Sequence, residues 1–115
     1  MDRDLTPNER GVLEWLIDAQ DIPERAGLRA QVANARVVGG LPTFLELQVD
    51  GAEPVNCPDG DLPTIAVVES AAGETTGLIL VWVDDGYLSG LEHAWVTDEM
   101  PASFPAPDQL RLPQT

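Results

Sequence analysis

Ser89 and His93 are residue types that can form a nucleophile and its base, and His93 is the only histidine in the chain. Four residues apart on one extended strand, they stand about 13 Å from each other and cannot share a hydrogen bond. Cys57, the only cysteine, is the other nucleophile that folding could bring to His93. As a lone thiol in a proline-rich loop it reads as a spectator. His93 itself, close to Trp95, reads as a partly buried ring held by one hydrogen bond. The carboxylates suggest different chemistry. Asp59-Gly60-Asp61 and Asp84-Asp85-Gly86 each set two acids beside a glycine, yet neither has the spaced acids and distal glutamate of a calcium loop. One histidine and one cysteine do not make a conventional zinc site. With no glycine-rich phosphate loop, nucleophile elbow or HExxH pattern, the expectation is no catalytic residue, no metal and no cofactor.

These residues have to be positioned by the segment 77–96, GLILVWVDDGYLSGLEHAWV, which holds two of the three tryptophans and the only tyrosine. Six apolar residues from Leu78 to Val83 read as a strand, Asp84-Asp85-Gly86 as a turn, and Tyr87 to Val96 as the return strand. A two-residue loop of Asp85-Gly86 puts Leu78, Leu80 and Trp82 on one face with Tyr87, Ser89, Leu91, His93 and Trp95. A three-residue loop swaps the faces of the return strand, and a bulge at Gly90 swaps part of it back. Under either closure both faces are apolar, so the hairpin is expected at the centre of a sheet covered on each side, by helices on one face and by the tail or a second subunit on the other.

The flanking sequence sets the fold class. Thr6-Pro7-Asn8-Glu9 is a capping box that starts a helix whose apolar side is Val12, Leu13, Leu16, Ile17 and Ala19, with Trp15 at its edge. Asp21-Ile22-Pro23-Glu24 repeats the start signal with Asp21 as cap and predicts a weaker helix over 23–34, apolar at Ala26, Leu28, Val32 and Ala33. After residue 37 the period becomes two. Gly39-Gly40 breaks the chain, residues 45–50 alternate as a half-buried strand, 51–63 read as a loop, and 64–69 form a short strand with apolar residues on both faces. Pro101, Pro105, Pro107 and Pro113 mark an extended tail. The expectation is one α+β domain over 1–115: two N-terminal helices packed on a mainly antiparallel sheet of about four strands, then the proline-rich tail.

Charge narrows the function classes. The chain carries 20 acids, six arginines and no lysine, for a formal net charge of -14. Residues 37–110 contain acids but no lysine or arginine. A nucleic acid or an anionic membrane would meet a repulsive field there, which leaves a basic protein or a second copy as partner. The lone cysteine, the absence of a basic leader and the lack of an apolar run near membrane-spanning length predict a cytoplasmic protein.

The segment Asp85-Gly86-Tyr87-Leu88-Ser89-Gly90-Leu91-Glu92, followed by Trp95, Thr97-Asp98-Glu99 and Pro101, resembles the C-terminal end of small bacterial families of unknown function. Some of these are grouped with toxin-immunity proteins. The resemblance implies a small α+β protein, and it brings no catalytic residue with it. Packing accounts for Tyr87, Leu88 and Leu91; the role of Glu92 it leaves unexplained. The residues together point to a non-enzymatic acidic binding module, immunity- or antitoxin-like, that contacts a cationic partner through Asp84, Asp85, Tyr87, Glu92 and Trp95. The alternatives are a small enzyme or ligand-binding protein with a carboxylate site near Asp84, Asp85 and Glu92, and a structural homodimer. The placement of the acids separates them: dispersed acids mean solubility, an acidic face with aromatics means a partner, and convergence in a pocket means chemistry.

Overall fold

The computed structural model describes residues 2–113. Its first helix, α1 (Pro7–Asp18), begins at the capping box. Thr6 Oγ1 accepts the Glu9 N–H at 3.1 Å, and Glu9 Oε1 accepts the Thr6 N–H at 2.9 Å. Arg3 donates to both Glu9 oxygens, at 2.8 and 2.9 Å. Burial would raise the Glu9 pKa, but the hydrogen bonds from Arg3 and Thr6 outweigh it and hold the carboxyl below its ordinary value. The corresponding stability is present above the unfolded pKa near 4.5 and is lost as pH falls through the lower folded value. Thr6→Ala should cost about 1 kcal/mol in urea unfolding. Glu9→Gln should flatten the loss of stability between pH 6 and 3.5, and an unchanged slope would show that the box does not hold the helix start.

Val12, Leu13, Leu16 and Ile17 are fully buried along one side of α1, as their spacing predicts. The second helix is shorter than expected. α2 spans Arg25–Gln31, its N-cap Glu24 makes no side-chain cap bond, and a 3-10 turn at Val32–Asn34 completes the segment. Asp21 therefore caps nothing, and Ala26 and Ala33 face solvent while Leu28 and Val32 enter the core.

Among the described residues the sheet is antiparallel throughout but has eight strands where about four were expected. They are β1 (Arg3–Asp4), β2 (Ala35–Leu41), β3 (Phe44–Val49), β4 (Gly60–Asp61), β5 (Ala66–Glu69), β6 (Thr75–Asp84), β7 (Tyr87–Trp95) and β8 (Leu110–Arg111). Their order is β1-β2-β3-β7-β6-β5-β8, with β4 also pairing with β6. Gly39-Gly40 does not break the chain; it lies in β2, where the register with β3 shifts between Val37 and Gly39. Three of the added strands are two residues long, too short for any periodicity to announce them.

The β6–β7 hairpin closes with the two-residue turn Asp85-Gly86, since Asp84 pairs with Tyr87 and both turn residues have positive φ, 53° and 81°. That is the type I′ geometry that matches strand twist. A bulge then follows: Trp82 pairs with Gly90 and Val83 with Leu88, leaving Ser89 without a counterpart. The bulge turns Leu91 and His93 to the side of Ile79, Val81 and Val83, and these residues join the helices in one core.

The tail does not cover the opposite face. Phe104 and Leu110 are part of the helix-side core, and a Cβ on Gly11 of α1 would touch the Pro107 ring at 2.6 Å. The structure measures 40 × 36 × 21 Å along its principal axes. The short axis accommodates one sheet layer and one helix layer, and a third layer would add about 10 Å. One face of the sheet is therefore uncovered among the described residues.

Candidate functional site

Asp84 and Asp85 are exposed at the hairpin tip. The loop before β4 brings a third acid to them. Asp59 Oδ1 accepts the Asp85 N–H at 3.0 Å, and carboxylate oxygens of Asp59, Asp84 and Asp85 lie within 4.8 Å of one another. Neither acidic stretch resembles an ion site alone, but together they supply three hard oxygen donors. All three are exposed, an arrangement suited to a cationic surface more than to a reacting substrate. The sequence marks Asp59 as a candidate carboxylate but not its meeting with Asp84 and Asp85, because that approach depends on the path of the 51–63 loop.

Gln31 fixes that path. Its fully buried side chain donates to Glu53 O at 3.0 Å and to Gly86 O at 2.9 Å, and accepts the Leu88 N–H at 2.9 Å. Val55 N–H adds a 2.8 Å bond to Gly86 O. Gly86 is sterically required there, since a Cβ would collide with Val55 O and Pro54. Gln20, also fully buried, holds the other end of the loop by donating to Thr64 O at 2.8 Å and accepting Thr64 N–H at 3.0 Å.

Glu92 faces the uncovered side of the sheet. It accepts the indole N–H of Trp82 at 3.0 Å, which supplies the role that packing left open. Phe44 pairs with Glu92, and Leu80 pairs with it from the other side. A Cβ on Gly90 would meet both the Phe44 ring and the Trp82 Cβ at 3.3 Å, so the two aromatics converge above this glycine. Glu46 lies opposite Gly90 and Asp61 opposite Trp82. Asp84 and Tyr87 continue the same face by alternation. Leu78, Leu80, Trp82 and Phe44 are half-buried, with Leu41 exposed beside Phe44. The result is an apolar, aromatic strip bordered by Glu46, Asp61, Asp84 and Glu92. Among the described residues none of these acids has an arginine within ion-pair distance; Arg3, Arg29, Arg36 and Arg111 pair instead with Glu9, Glu14, Asp18, Asp2, Asp50 and Glu69.

The five expected contact residues therefore divide. Asp84, Asp85 and Tyr87 stand together at the tip, with Tyr87 half-buried. Glu92 is in mid-strand, and Trp95 pairs with Gly77 at the far end of the hairpin, about 23 Å from the tip. Trp82, Phe44 and Glu46 belong with Asp84 and Glu92 but escaped sequence reasoning. Trp82 looked like a core residue until the bulge fixed which face is covered.

The nucleophile candidates find no base. His93 is buried on the helix side, and neither ring nitrogen has a hydrogen-bond partner among the described residues. Burial pushes the Cys57 thiol up, and the nearby charge of Glu24 raises it further, so the unreactive protonated form is favoured. Among the described residues, no helix is long and apolar enough to cross a membrane. Comparison of the chain with protein-family models, curated proteins and solved structures finds no match.

Proposed function

We propose that this chain is a non-enzymatic binding module that docks a basic protein on the uncovered face of its sheet. The observation that carries the reading is the strip around Trp82 and Phe44, left uncovered by the helices and the tail and bordered by acids without arginine partners. Apolar area supplies affinity, aromatic residues serve as anchors, and unpaired carboxylates attract and orient a cationic surface. A second copy is the poorer occupant, because two such faces would oppose acid to acid at a net charge of -14 per chain. The immunity- or antitoxin-like role implied by the sequence resemblance fits the same chemistry: an acidic face that blocks a cationic effector. The tip acids Asp59, Asp84 and Asp85 extend the field toward the approaching partner.

To test this, basic proteins captured from the source lysate would be purified and titrated against three forms of the chain. The parent should bind saturably, with an on-rate that drops steeply between low and physiological salt. The sheet-face variant Glu46→Gln with Glu92→Gln should weaken binding more than the tip variant Asp84→Asn with Asp85→Asn. Equal affinity for all three forms, or no saturable binding, would overturn the reading.

A further inference from the structure

His93 is enclosed by residues that offer it no hydrogen bond. Its side chain is sealed on the helix side of the sheet, with the residue 5 % exposed and both ring nitrogens unpartnered. β6 presents Gly77 and Ile79 to it: Ile79 is its cross-strand partner, and a Cβ on Gly77 would lie 2.8 Å from Nε2. The turn before β3 presents Thr43, whose carbonyl takes only the His93 backbone N–H, at 2.7 Å. The tail presents Phe104, with ring centroids 5.9 Å apart and planes inclined at 42°. None of these neighbours can ionise. The one buried acid among the described residues, Glu9, is held by Arg3 and Thr6. Glu92 points to the other face and bonds Trp82, and Asp98 and Glu99 are exposed.

We propose that His93 and Phe104 form a proton-sensitive latch that keeps the tail, residues 101–111, on the helix-side core. A neutral imidazole is tolerated in this site, but an imidazolium would have neither water nor a counter-charge. The cheapest relief is to lift Phe104, because Gly77 and Ile79 lie within β6 and Thr43 is buried in the turn between β2 and β3, whereas the tail is held by Phe104, Leu110, Pro107, the short strand β8 and the Arg111–Glu69 ion pair. The direction of the titration agrees, since burial holds the His93 pKa below its ordinary value. A depressed folded pKa means that the closed tail is fully favoured above about pH 6.5 and is lost as pH falls from there through the folded value. Release is coupled to one proton, so the open fraction should grow up to about tenfold per pH unit in that window.

Nuclear magnetic resonance of the full chain from pH 7.5 to 5 tests the latch. Amide signals of residues 101–111 should move toward unfolded positions while those of α1 and β3 stay, and His93→Phe, which fills the site without titrating, should abolish the change. Should His93→Phe fold poorly, Phe104→Ala provides the alternative: opening the site should return the imidazole pKa toward about 6.5. The proposal is overturned by tail signals that stay fixed to pH 5 or respond identically in His93→Phe. It is equally overturned by a His93 pKa that Phe104→Ala leaves unchanged.

Discussion

Gln31→Leu is expected to destabilise the protein by about 3 to 5 kcal/mol, a large share of the 5 to 15 kcal/mol typical of a domain. Leucine is no smaller in volume than glutamine, so the cost comes chiefly from unmade hydrogen bonds and not from a cavity. The Leu88 N–H suffers most. It lies on the edge of β7 beyond Gly90, where the pairing with β3 ends, and Gln31 Oε1 takes the place of the missing strand. A buried amide left without a partner costs about 1 to 3 kcal/mol, and each of the two donated bonds, to Glu53 O and Gly86 O, adds about 0.5 to 1.5 kcal/mol. Gly86 O keeps its bond from Val55, which limits the total. Urea unfolding measures the difference directly, and a loss under 1 kcal/mol would show that the tip is held by the turn alone. The same substitution should also release the 51–55 segment, so a fall in stability without increased proteolysis there would argue against the clamp.

Trp82 and Leu91 should dissociate stability from binding. Leu91 is fully buried on the helix side, and Leu91→Ala is expected to cost about 2 to 5 kcal/mol of stability. Trp82 is half-buried on the uncovered face, so Trp82→Ala should cost less than the 3 to 5 kcal/mol of a tryptophan lost from a core, about 1 to 2 kcal/mol. In binding the order reverses. An aromatic anchor at the centre of a contact is worth about 2 kcal/mol or more, close to thirtyfold in affinity. Glu92→Gln should retain an oxygen that accepts the indole N–H while removing the charge, and should therefore weaken the salt-dependent part of the affinity. If Trp82→Ala unfolds the chain as severely as Leu91→Ala, the covered face has been assigned wrongly.

The parts of the fold that were legible in the sequence are those specified by neighbouring residues. Thr6 and Glu9 encode the start of α1 within four positions, and Asp85-Gly86 encodes the turn through residues that tolerate positive φ. The sequence admits a bulge at Gly90 together with a three-residue loop; the structure has it at Ser89 behind a two-residue turn, because the residues around it are apolar or small on either face and pairing alone decides the register. That single inserted residue decides whether Leu91 and His93 meet the helices or the uncovered face. The buried glutamines were hidden for a related reason: Gln20 and Gln31 read as polar helix residues, and only the carbonyls of a distant loop explain their burial. Of the candidate site, the acidity and Glu92 were visible, whereas the meeting of Asp59 with Asp84 and Asp85 and of Phe44 with Trp82 is tertiary.

The three tryptophans offer the most direct test of the central claim, that the uncovered sheet face is the binding surface. Trp15 belongs to the helix layer, Trp82 to the uncovered face and Trp95 to the far end of the hairpin. Their indole N–H signals would be followed by nuclear magnetic resonance while the full chain is titrated with a peptide alternating arginine and leucine, and with its glutamate counterpart as control. The account predicts a saturable shift of the Trp82 signal with the arginine peptide only, weakened by about 0.3 M salt and lost in Glu46→Gln with Glu92→Gln, while Trp15 stays fixed. A saturable shift of Trp15 with Trp82 unmoved, or no saturable shift of any indole, would contradict it.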